Sequence, residues 1–347
     1  MARGNISIFI PHIGCPYICS FCDQRAISGS VKAPSPDEAE QIIFSAFEKM
    51  TAADRYNSEI AFFGGSFTAI PREYMISLLK RAEKYLTKTR PDGFKGVRLS
   101  TRPDCINDEI LSILKEHGVT SIELGAQSMI DRVLELNRRG HTSSDVQSSA
   151  ALIKSYGFET GLQMMTGLYG SSPEDDLLTM KKIADCSPDT VRIYPTVIMR
   201  GTYLSELYEK GDYIPYPFEE CVRICAEMTK YFHAHNIKII RMGLHAEESL
   251  DKNRIGGFWH PAFAELVRSE LFRQAEEKIF SEEKNISAIY VSPADVSCAI
   301  GHKRSNINYF ADKGTFFTVN REKDIPRDLI SANGKLFSVY SDNSEGQ

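Results

Sequence analysis

The chain has 347 residues and a formal net charge of −5, with 42% hydrophobic and 25% charged residues. These proportions are ordinary for a folded globular protein, and the length suffices for one large domain or for a large and a small one. The acidic balance argues against nucleic-acid binding through bulk charge, and eight cysteines in this length do not resemble a small disulfide-bonded scaffold. The apolar segment 6–10 is too short for an export signal or a membrane span, so we expect a reducing, cytoplasmic location.

Short apolar segments alternate with segments of helical periodicity over most of the chain. The predicted strands are 6–10, 60–63, 97–101, 121–124, 161–165, 190–195 and 238–241. The predicted helices are 36–50, 72–87, 108–117, 131–137, 143–156, 173–186 and 218–233. This alternation predicts βαβ units and a parallel sheet, and strands rich in Ile, Val, Leu and Phe predict burial on both faces. The expected fold is therefore α/β, a partial barrel of (β/α)6 type whose active site lies at the carboxyl ends of the strands.

Directly after the first predicted strand, Cys15, Cys19 and Cys22 follow one another with the spacing C-x3-C-x2-C, and Phe21 precedes the last of them. Three thiolates in one loop can hold three irons of a 4Fe–4S cluster and leave the fourth iron open to a substrate or cofactor. The alternative is a tetrahedral zinc site with His12 as the fourth ligand. Such zinc sites usually draw on a second CxxC pair, which the sequence lacks, so the spacing favours the cluster.

Glycine and polar residues stand where the second and third predicted strands end. Gly64 and Gly65, followed by Ser66, would allow the backbone to approach a ligand closely because no Cβ intervenes. Arg102 can bind a carboxylate or a ribose, or it can pair with Asp104 instead, and the sequence leaves both readings open. Because the carboxyl ends of parallel strands meet at one edge of a sheet, both groups are candidates for the same site.

Polar side chains also interrupt the fourth, fifth and sixth predicted strands. Glu123 and Arg192 lie in otherwise apolar strands, where an unpaired charge is costly, so we expect them to pair across the barrel. Gln127 and Gln163 are candidates to face a cavity. The methionines at 164–165 are interpreted as core residues, because methionine commonly fills irregular gaps in the core.

The cysteine spacing resembles the signature of radical S-adenosylmethionine (SAM) enzymes. The order of the polar and glycine-containing segments along the chain resembles the radical SAM domain of the catalytic subunit of Elongator and its bacterial relatives. The matching segments, within about residues 5–245, are 123–128, 138–142, 163–168, 192–202 and 204–213. The resemblance implies a 4Fe–4S cluster on Cys15, Cys19 and Cys22 and SAM as the second cofactor. It implies that SAM contacts Gly64, Gly65, Arg102, Gln127 and Arg192, and our candidate set also includes Phe21, Ser66, Glu123 and Gln163.

The activity implied is reductive cleavage of SAM to methionine and a 5′-deoxyadenosyl radical, which abstracts a hydrogen from a substrate. The electron would come from a one-electron donor such as flavodoxin or ferredoxin. Nothing after Gly243 resembles the Gly-rich acetyl-CoA loop of Elongator, so the radical chemistry transfers and the acetyl chemistry does not. The expected substrate is tRNA or another RNA. The alternatives are a radical enzyme acting on a small molecule or peptide, and an iron–sulfur RNA-binding sensor without turnover.

A change of pattern near residue 256 predicts a second, small α+β domain. We place the radical SAM barrel at 1–260, the small domain at 261–341 and a frayed tail at 342–347. In the small domain we expect a helix at 262–278 and short strands at 286–291, 316–319 and 336–340.

Within this domain, Gly301, His302, Lys303 and Arg304 resemble the Gly-x-x-Gly loop between two helices of a KH module. Arg304 takes the place of the second glycine, which keeps the loop cationic but weakens the usual close approach. The resemblance implies contact with an RNA backbone. The alternative is a basic loop that only faces water.

Overall fold

The computed structural model describes residues 4–11, 13–15, 18–23, 32–244 and 248–341. The strands are β1 (Asn5–Ile10), β2 (Glu59–Gly64), β3 (Gly96–Thr101), β4 (Val119–Gln127), β5 (Glu159–Thr166), β6 (Thr190–Pro195), β7 (Val197–Met199), β8 (Lys238–Met242), β9 (Arg254–Gly257), β10 (Ala288–Val291), β11 (Thr318–Arg321), β12 (Leu329–Ala332) and β13 (Lys335–Ser338). The helices are α1 (Pro36–Lys49), α2 (Ala52–Tyr56), α3 (Arg72–Glu83), α4 (Asp108–Glu116), α5 (Asp131–Leu136), α6 (Ser143–Ser155), α7 (Pro173–Asp185), α8 (Tyr203–Lys210), α9 (Phe218–Ala234), α10 (Glu248–Asn253), α11 (Phe263–Glu282), α12 (Val296–Ile300) and α13 (Ser305–Asp312).

Every strand and helix predicted up to residue 241 is present, although α3 ends at Glu83 and not at residue 87. The sequence reasoning missed short elements, among them α2, α8, α10, β7, β9 and β12, whose few residues carry too little periodicity to be recognised. The proposed zinc ligand His12 and the tail 342–347 lie outside the described residues.

The chain divides into two compact units, and the first comprises Met1–Pro215 and Leu244–Phe258. Strands β1 to β6 lie side by side in chain order, and every neighbouring pair is parallel. Parallel neighbours require crossover connections, which the intervening helices supply. The predicted α/β sheet is therefore confirmed.

The strands of this sheet are held by burial on both faces. In β2, for example, both Ile60 and Phe62 on one face and Ala61 on the other are fully buried. Such burial on alternate sides is what a sheet covered by helices requires. The covering helices begin at defined caps, since Ser35, Thr142 and Ser172 each form a capping box at the start of α1, α6 and α7.

Strand β4 carries an irregularity that matters for the site. The pairing of β4 with β5 shifts between Gly125 and Gln127, so that one extra residue, Ala126, is inserted. Gln127 itself has a left-handed φ of 65°, which is uncommon for a residue with a side chain. Bulges of this kind redirect side chains at the ends of strands. The bulge therefore determines where the Gln127 side chain lies.

The second unit comprises Tyr216–Gly243 and Trp259–Gln347. It contains α9, β8 and α11, followed by a four-stranded sheet in the order β11-β10-β12-β13. Strand β10 pairs in parallel with β11 and antiparallel with β12, and α12 and α13 connect the parallel pair. The second unit thus includes 216–243 as well as the C-terminal segment, and the predicted division after residue 260 stays a prediction.

In the part of the chain that the structure describes, no helix has both the length and the apolar character needed to cross a bilayer.

Candidate active site

A cavity of about 340 Å³ lies at the carboxyl ends of strands β1 to β6. This volume is in the range of sites that bind small ligands and cofactors. The three motif thiols of Cys15, Cys19 and Cys22 all line it. The other sequence-predicted residues on its wall are Phe21, Gly64, Gly65, Ser66, Arg102, Gln127, Gln163 and Arg192. Residues that are far apart in sequence are therefore brought to one site, as the strand order predicts.

The cysteine loop is anchored through Ser20, which is fully buried between two of the motif cysteines. Its backbone N–H donates to the carbonyl of Asn137 at 3.1 Å, and its hydroxyl donates to Asn137 Oδ1 at 2.7 Å. On the other side, the N–H of Leu204 donates to the Ser20 carbonyl at 2.7 Å. Phe21 packs against an apolar cluster that includes Leu204 and Ile198. The loop is therefore held from two sides before any cofactor binds.

The Cys22 thiol of the loop is in an environment that disfavours a negative charge. Burial, together with the neighbouring Cys19 and Cys15, raises the pKa of Cys22 to about 12. Such thiols become thiolates when a metal cation neutralises them, as in iron–sulfur centres. Among the described residues, no group of three or more His, Cys, Asp and Glu side chains is arranged as a ready-made metal site. The three thiols thus share one cavity wall, and their chemistry fits an iron–sulfur cluster.

The two adjacent glycines at the end of β2 allow the strand end to pack against the start of the cysteine loop. Gly64 has a φ of 112°, where side chains are strained, and a Cβ there would lie 2.8 Å from the carbonyl oxygen of Ile10. A Cβ on Gly65 would lie only 2.1 Å from the carbonyl oxygen of Ile13. The next residue, Ser66, places its hydroxyl 3.9 Å from the Cys15 sulfur. Both glycines therefore position the cysteine loop as well as line the cavity.

Gln127 presents an unsatisfied acceptor at the cavity. Its Oε1 is buried and has no hydrogen-bond partner within the described residues. A buried amide oxygen without a partner costs free energy, so a donor from a bound ligand would satisfy it. This orphaned oxygen fits a ligand that carries an ammonium group or hydroxyls, and SAM carries both.

The two readings of Arg102 are separated by its geometry. Nε and Nη2 of Arg102 donate to the two carboxylate oxygens of Asp104, each at 2.9 Å. Nη2 also donates to the backbone carbonyl of Arg139 at 2.5 Å. The ion pair with Asp104 is therefore formed, although Arg102 still lines the cavity. A role of Arg102 in binding SAM stays a prediction.

The predicted pair of Glu123 and Arg192 is confirmed. Nε and Nη2 of Arg192 donate to the two carboxylate oxygens of Glu123 at 2.6 and 2.8 Å. Gln163 Nε2 donates to the same carboxylate at 2.8 Å. Arg192 and Gln163 line the cavity, whereas Glu123 is 1% exposed and is not among the lining residues of the described chain. Within the described residues, Glu123 is thus connected to the cavity through Arg192 and Gln163.

Sequence reasoning missed a buried ion cluster that joins Glu123 to three other strands. Arg98 on β3 donates to Glu59, Glu123 and Glu159 at 2.8, 3.1 and 2.6 Å. Each of these strands contributes one charged residue to the same ion cluster. The signal was present for Arg98, which lies inside a predicted apolar strand, where a charge must be paired.

Much of the aromatic and apolar wall of the cavity was also missed, although Phe21 was among the predicted site residues. Phe9, Phe63 and Met165 line the site, so the interpretation of Met165 as a core residue was wrong. Met164, its neighbour, is fully buried as expected. The alternation of side chains along a strand could have identified this wall, because residues two apart share a face.

In the second unit, the KH-like loop lies between two helices, as the resemblance predicts. Gly301 ends α12 with a φ of 80°, and a Cβ there would lie 2.3 Å from the hydroxyl oxygen of Ser305. Lys303 and Arg304 follow with left-handed φ values of 51° and 63° and are exposed, as is His302. Contact with RNA stays a prediction.

Residues 9–183 match the family model of the radical SAM superfamily, and residues 188–273 match the Radical_SAM C-terminal domain. The first match covers half of the 347 residues, so the chain belongs to the radical SAM superfamily. Enzymes of this superfamily bind a 4Fe–4S cluster and SAM, and the two predicted cofactors are thereby confirmed.

Curated relatives share part of this chain. A tRNA uridine(34) acetyltransferase of Dehalococcoides mccartyi is 26% identical over 61% of the chain and 52% of its own length. A tRNA uridine(34) acetyltransferase of Methanocaldococcus jannaschii is 32% identical over 48% of the chain and 34% of its own length. Human Elongator complex protein 3 is 30% identical over 49% of the chain and 34% of its own length. The chain thus spans about half or less of the length of these relatives.

Among solved structures, an archaeal Elp3 of Methanocaldococcus infernus superposes with a TM-score of 0.62 at 22% identity, over 80% of this chain and 63% of the other. Streptococcus suis SuiB superposes with a TM-score of 0.50 at 14% identity, over 69% and 50%. These likenesses concern the fold, and they confirm the predicted partial barrel.

Proposed function

We propose that this protein cleaves SAM reductively at a 4Fe–4S cluster held by Cys15, Cys19 and Cys22, and that it acts on tRNA. The observation that carries the first part is the convergence of the three thiols and the orphaned Gln127 oxygen on one cavity. When bound, the cluster and SAM supply a one-electron cleavage that yields methionine and a 5′-deoxyadenosyl radical. We expect this chemistry in the cytoplasm, where the thiols stay reduced and a one-electron donor such as flavodoxin or ferredoxin is at hand.

The chain's own residues bind and orient the cofactors. The cysteine loop, fixed through Ser20, would supply three thiolate ligands. Gln127 Oε1 would accept a hydrogen bond from SAM, and the side chains of Gln163 and Arg192 would line the cavity around it. Gln163 and Arg192 are held in place by Glu123, so their positions are fixed before SAM binds.

The apolar wall would shield the reacting carbon from water. Phe9, Phe63 and Met165 face the cavity together with Phe21. A carbon radical must be kept from solvent and from side reactions, and apolar side chains around it would serve this purpose. No acid or base is needed for hydrogen abstraction, which fits a site whose carboxylates are paired with arginines.

The relatives and the basic loop support tRNA as the substrate. The relatives that share the radical region include proteins named as tRNA uridine(34) acetyltransferases. The exposed loop of His302, Lys303 and Arg304 adds a cationic surface of the kind that contacts phosphates.

The first experiment measures 5′-deoxyadenosine formed from SAM by the anaerobically reconstituted protein with dithionite, with and without bulk tRNA. We expect formation that depends on the cluster and rises with tRNA. Cys19→Ala should abolish it, whereas Cys186→Ala, which removes a half-buried thiol outside the cavity, should leave it intact. No product from a fully loaded cluster would reject the enzyme and favour a sensor.

A second experiment tests the RNA surface. The double change Lys303→Ala and Arg304→Ala should lower tRNA affinity about tenfold and reduce its salt dependence, because two phosphate contacts are lost. The matched control removes two exposed lysines of the first unit, Lys49→Ala and Lys181→Ala. Equal tRNA binding by both double variants would reject the loop as an RNA contact and favour a small molecule or peptide as the substrate.

A further inference from the structure

Arg139 is a buried cation without a carboxylate partner. Arg139 is 6% exposed, and no acid of the described residues forms a salt bridge with it. Its Nε has no hydrogen-bond partner there either. Burying an unpaired cation costs roughly several kcal/mol, so we expect a negative charge beside the Arg139 guanidinium. The candidate for that charge is a thiolate of the cysteine loop.

The geometry connects Arg139 directly to the loop. Its Nη1 donates to the Cys19 sulfur at 3.0 Å, although 120 positions separate the two residues in sequence. Its Nη2 donates to the carbonyl of Gly125 at 2.5 Å. The guanidinium therefore bridges the bulged end of β4 and the second motif cysteine.

The backbone around Arg139 is built to hold it there. Arg102, itself clamped by Asp104, donates to the Arg139 carbonyl. Asn137, two residues earlier, holds the loop through Ser20. Between them, Arg138 adopts a left-handed φ of 56° and points its own guanidinium over the ring of Tyr203 at 3.5 Å. The turn thus directs Asn137 and Arg139 to the cysteine loop and Arg138 away from it.

We propose that Arg139 is a positioning residue that raises the reduction potential of the cluster by placing a positive charge on the Cys19 thiolate. The inference rests on the proposed ligation of the cluster by Cys19. Adding an electron makes a cluster more negative, and a neighbouring cation with an N–H···S bond stabilises that reduced state. Arg139 therefore makes the cluster easier to reduce by a one-electron donor, without contact to the substrate.

The test compares the reconstituted full chain with Arg139→Gln, Arg139→Lys and Arg139→Met. Iron and sulfide content, circular dichroism and a redox titration followed by electron paramagnetic resonance are measured for each. At the midpoint potential of the unaltered protein, the ratio of reduced to oxidised cluster should fall about tenfold in Arg139→Gln, which corresponds to about 59 mV for a one-electron couple. Arg139→Lys keeps the charge and should recover most of this ratio.

Arg138→Gln is the matched control, because it removes the same charge from the neighbouring residue, which is exposed. In this variant the ratio of reduced to oxidised cluster should change less than twofold. An unchanged ratio in loaded Arg139→Gln would overturn the proposal, and so would an equal fall in Arg139→Lys. If Arg139→Gln does not fold, the redox titration is made on Arg139→Met, which has a similar volume and no charge. Failure of both neutral variants to fold would assign Arg139 to the fold and would overturn the redox role.

The two proposals fail in different ways. If the unaltered protein binds no 4Fe–4S cluster, the proposed function fails and the role of Arg139 fails with it. If the unaltered protein binds the cluster and cleaves SAM, but the charge at residue 139 does not affect the potential, only the role of Arg139 fails.

Discussion

Replacing Arg98 by methionine should lower the free energy of unfolding more than replacing a surface arginine does. Arg98 is 3% exposed and donates to Glu59, Glu123 and Glu159. Without it, Glu123 keeps Arg192, but Glu59 keeps only the hydroxyls of neighbouring strand residues as partners. A carboxylate that is 3% exposed would then be left without a cation.

The magnitude follows from that lost partner. Removing one side of a buried ion pair costs roughly 3–5 kcal/mol, because the other charge stays buried and uncompensated. The cost should also depend on pH. Burial by itself raises the pKa of Glu59, but Arg98 and two hydroxyl donors hold this pKa below its usual value in the native state. The stability that Glu59 contributes is therefore present above pH 4.5 and is lost as the pH falls through its lowered pKa.

The assay is urea unfolding followed by circular dichroism at several pH values. In Arg98→Met, burial raises the pKa of Glu59, so the loss of stability should be largest at pH 7–8 and should shrink towards pH 5. The double variant Glu59→Gln with Arg98→Met should recover part of the loss, since it removes the unpaired charge.

Arg223→Met is the control, because Arg223 also bridges two glutamates, Glu220 and Glu227, but on the surface of α9. It should cost less than about 1 kcal/mol. An Arg98→Met cost as small as that of Arg223→Met, or one that does not change with pH, would refute the reasoning.

Two further predictions concern buried titratable groups. Glu276 on α11 is fully buried, and neither carboxylate oxygen has a partner within the described residues. Burial raises the pKa of Glu276 well above the usual value, so the native state loses stability as the pH rises above 4.5. Glu276→Met should therefore stabilise the protein by roughly 1–3 kcal/mol at pH 8. His141 is 5% exposed, and burial, followed by the charge of Arg139, lowers its pKa to about 4. The native state should therefore lose roughly 3 kcal/mol between pH 6.5 and pH 4, and His141→Gln should flatten that part of the stability curve measured by urea unfolding.

Matched variants separate titration from packing in both cases. Glu276→Gln keeps unpaired polar atoms but cannot ionise, so it should remove the pH dependence and leave part of the cost. His235→Gln, at an exposed position of the second unit, should leave the decrease in stability between pH 6.5 and pH 4 unchanged. A Glu276→Met variant that is less stable than the unaltered protein at pH 8 would contradict the first interpretation. A decrease between pH 6.5 and pH 4 that is the same with and without His141 would contradict the second.

Much of the barrel followed from the sequence because its signals are local. A strand buried on both faces needs a continuous apolar run, and a helix needs a 3.6-residue period, so the elements up to residue 241 were recognised with their order. The cysteine spacing was local as well, since Cys15, Cys19 and Cys22 must reach one cluster from one loop. Charge in an apolar strand was a third local signal, and it predicted that Glu123 pairs with Arg192.

The partners within the site depended on the tertiary structure. Arg102 had two reasonable partners in sequence, and only the folded chain shows that it pairs with Asp104 and the Arg139 carbonyl while it still lines the cavity. The Gln127 side chain took its direction from a bulge in β4 that no residue pattern announces.

What the sequence by itself determined is the α/β alternation, the cysteine loop and the kind of cofactor that this loop binds. What only the tertiary structure decided is which charges meet, as when Arg139 reaches Cys19 across 120 positions. The physical reason is range: propensity and periodicity act between near neighbours in the chain, whereas pairing of buried charges depends on distances that only the folded chain defines.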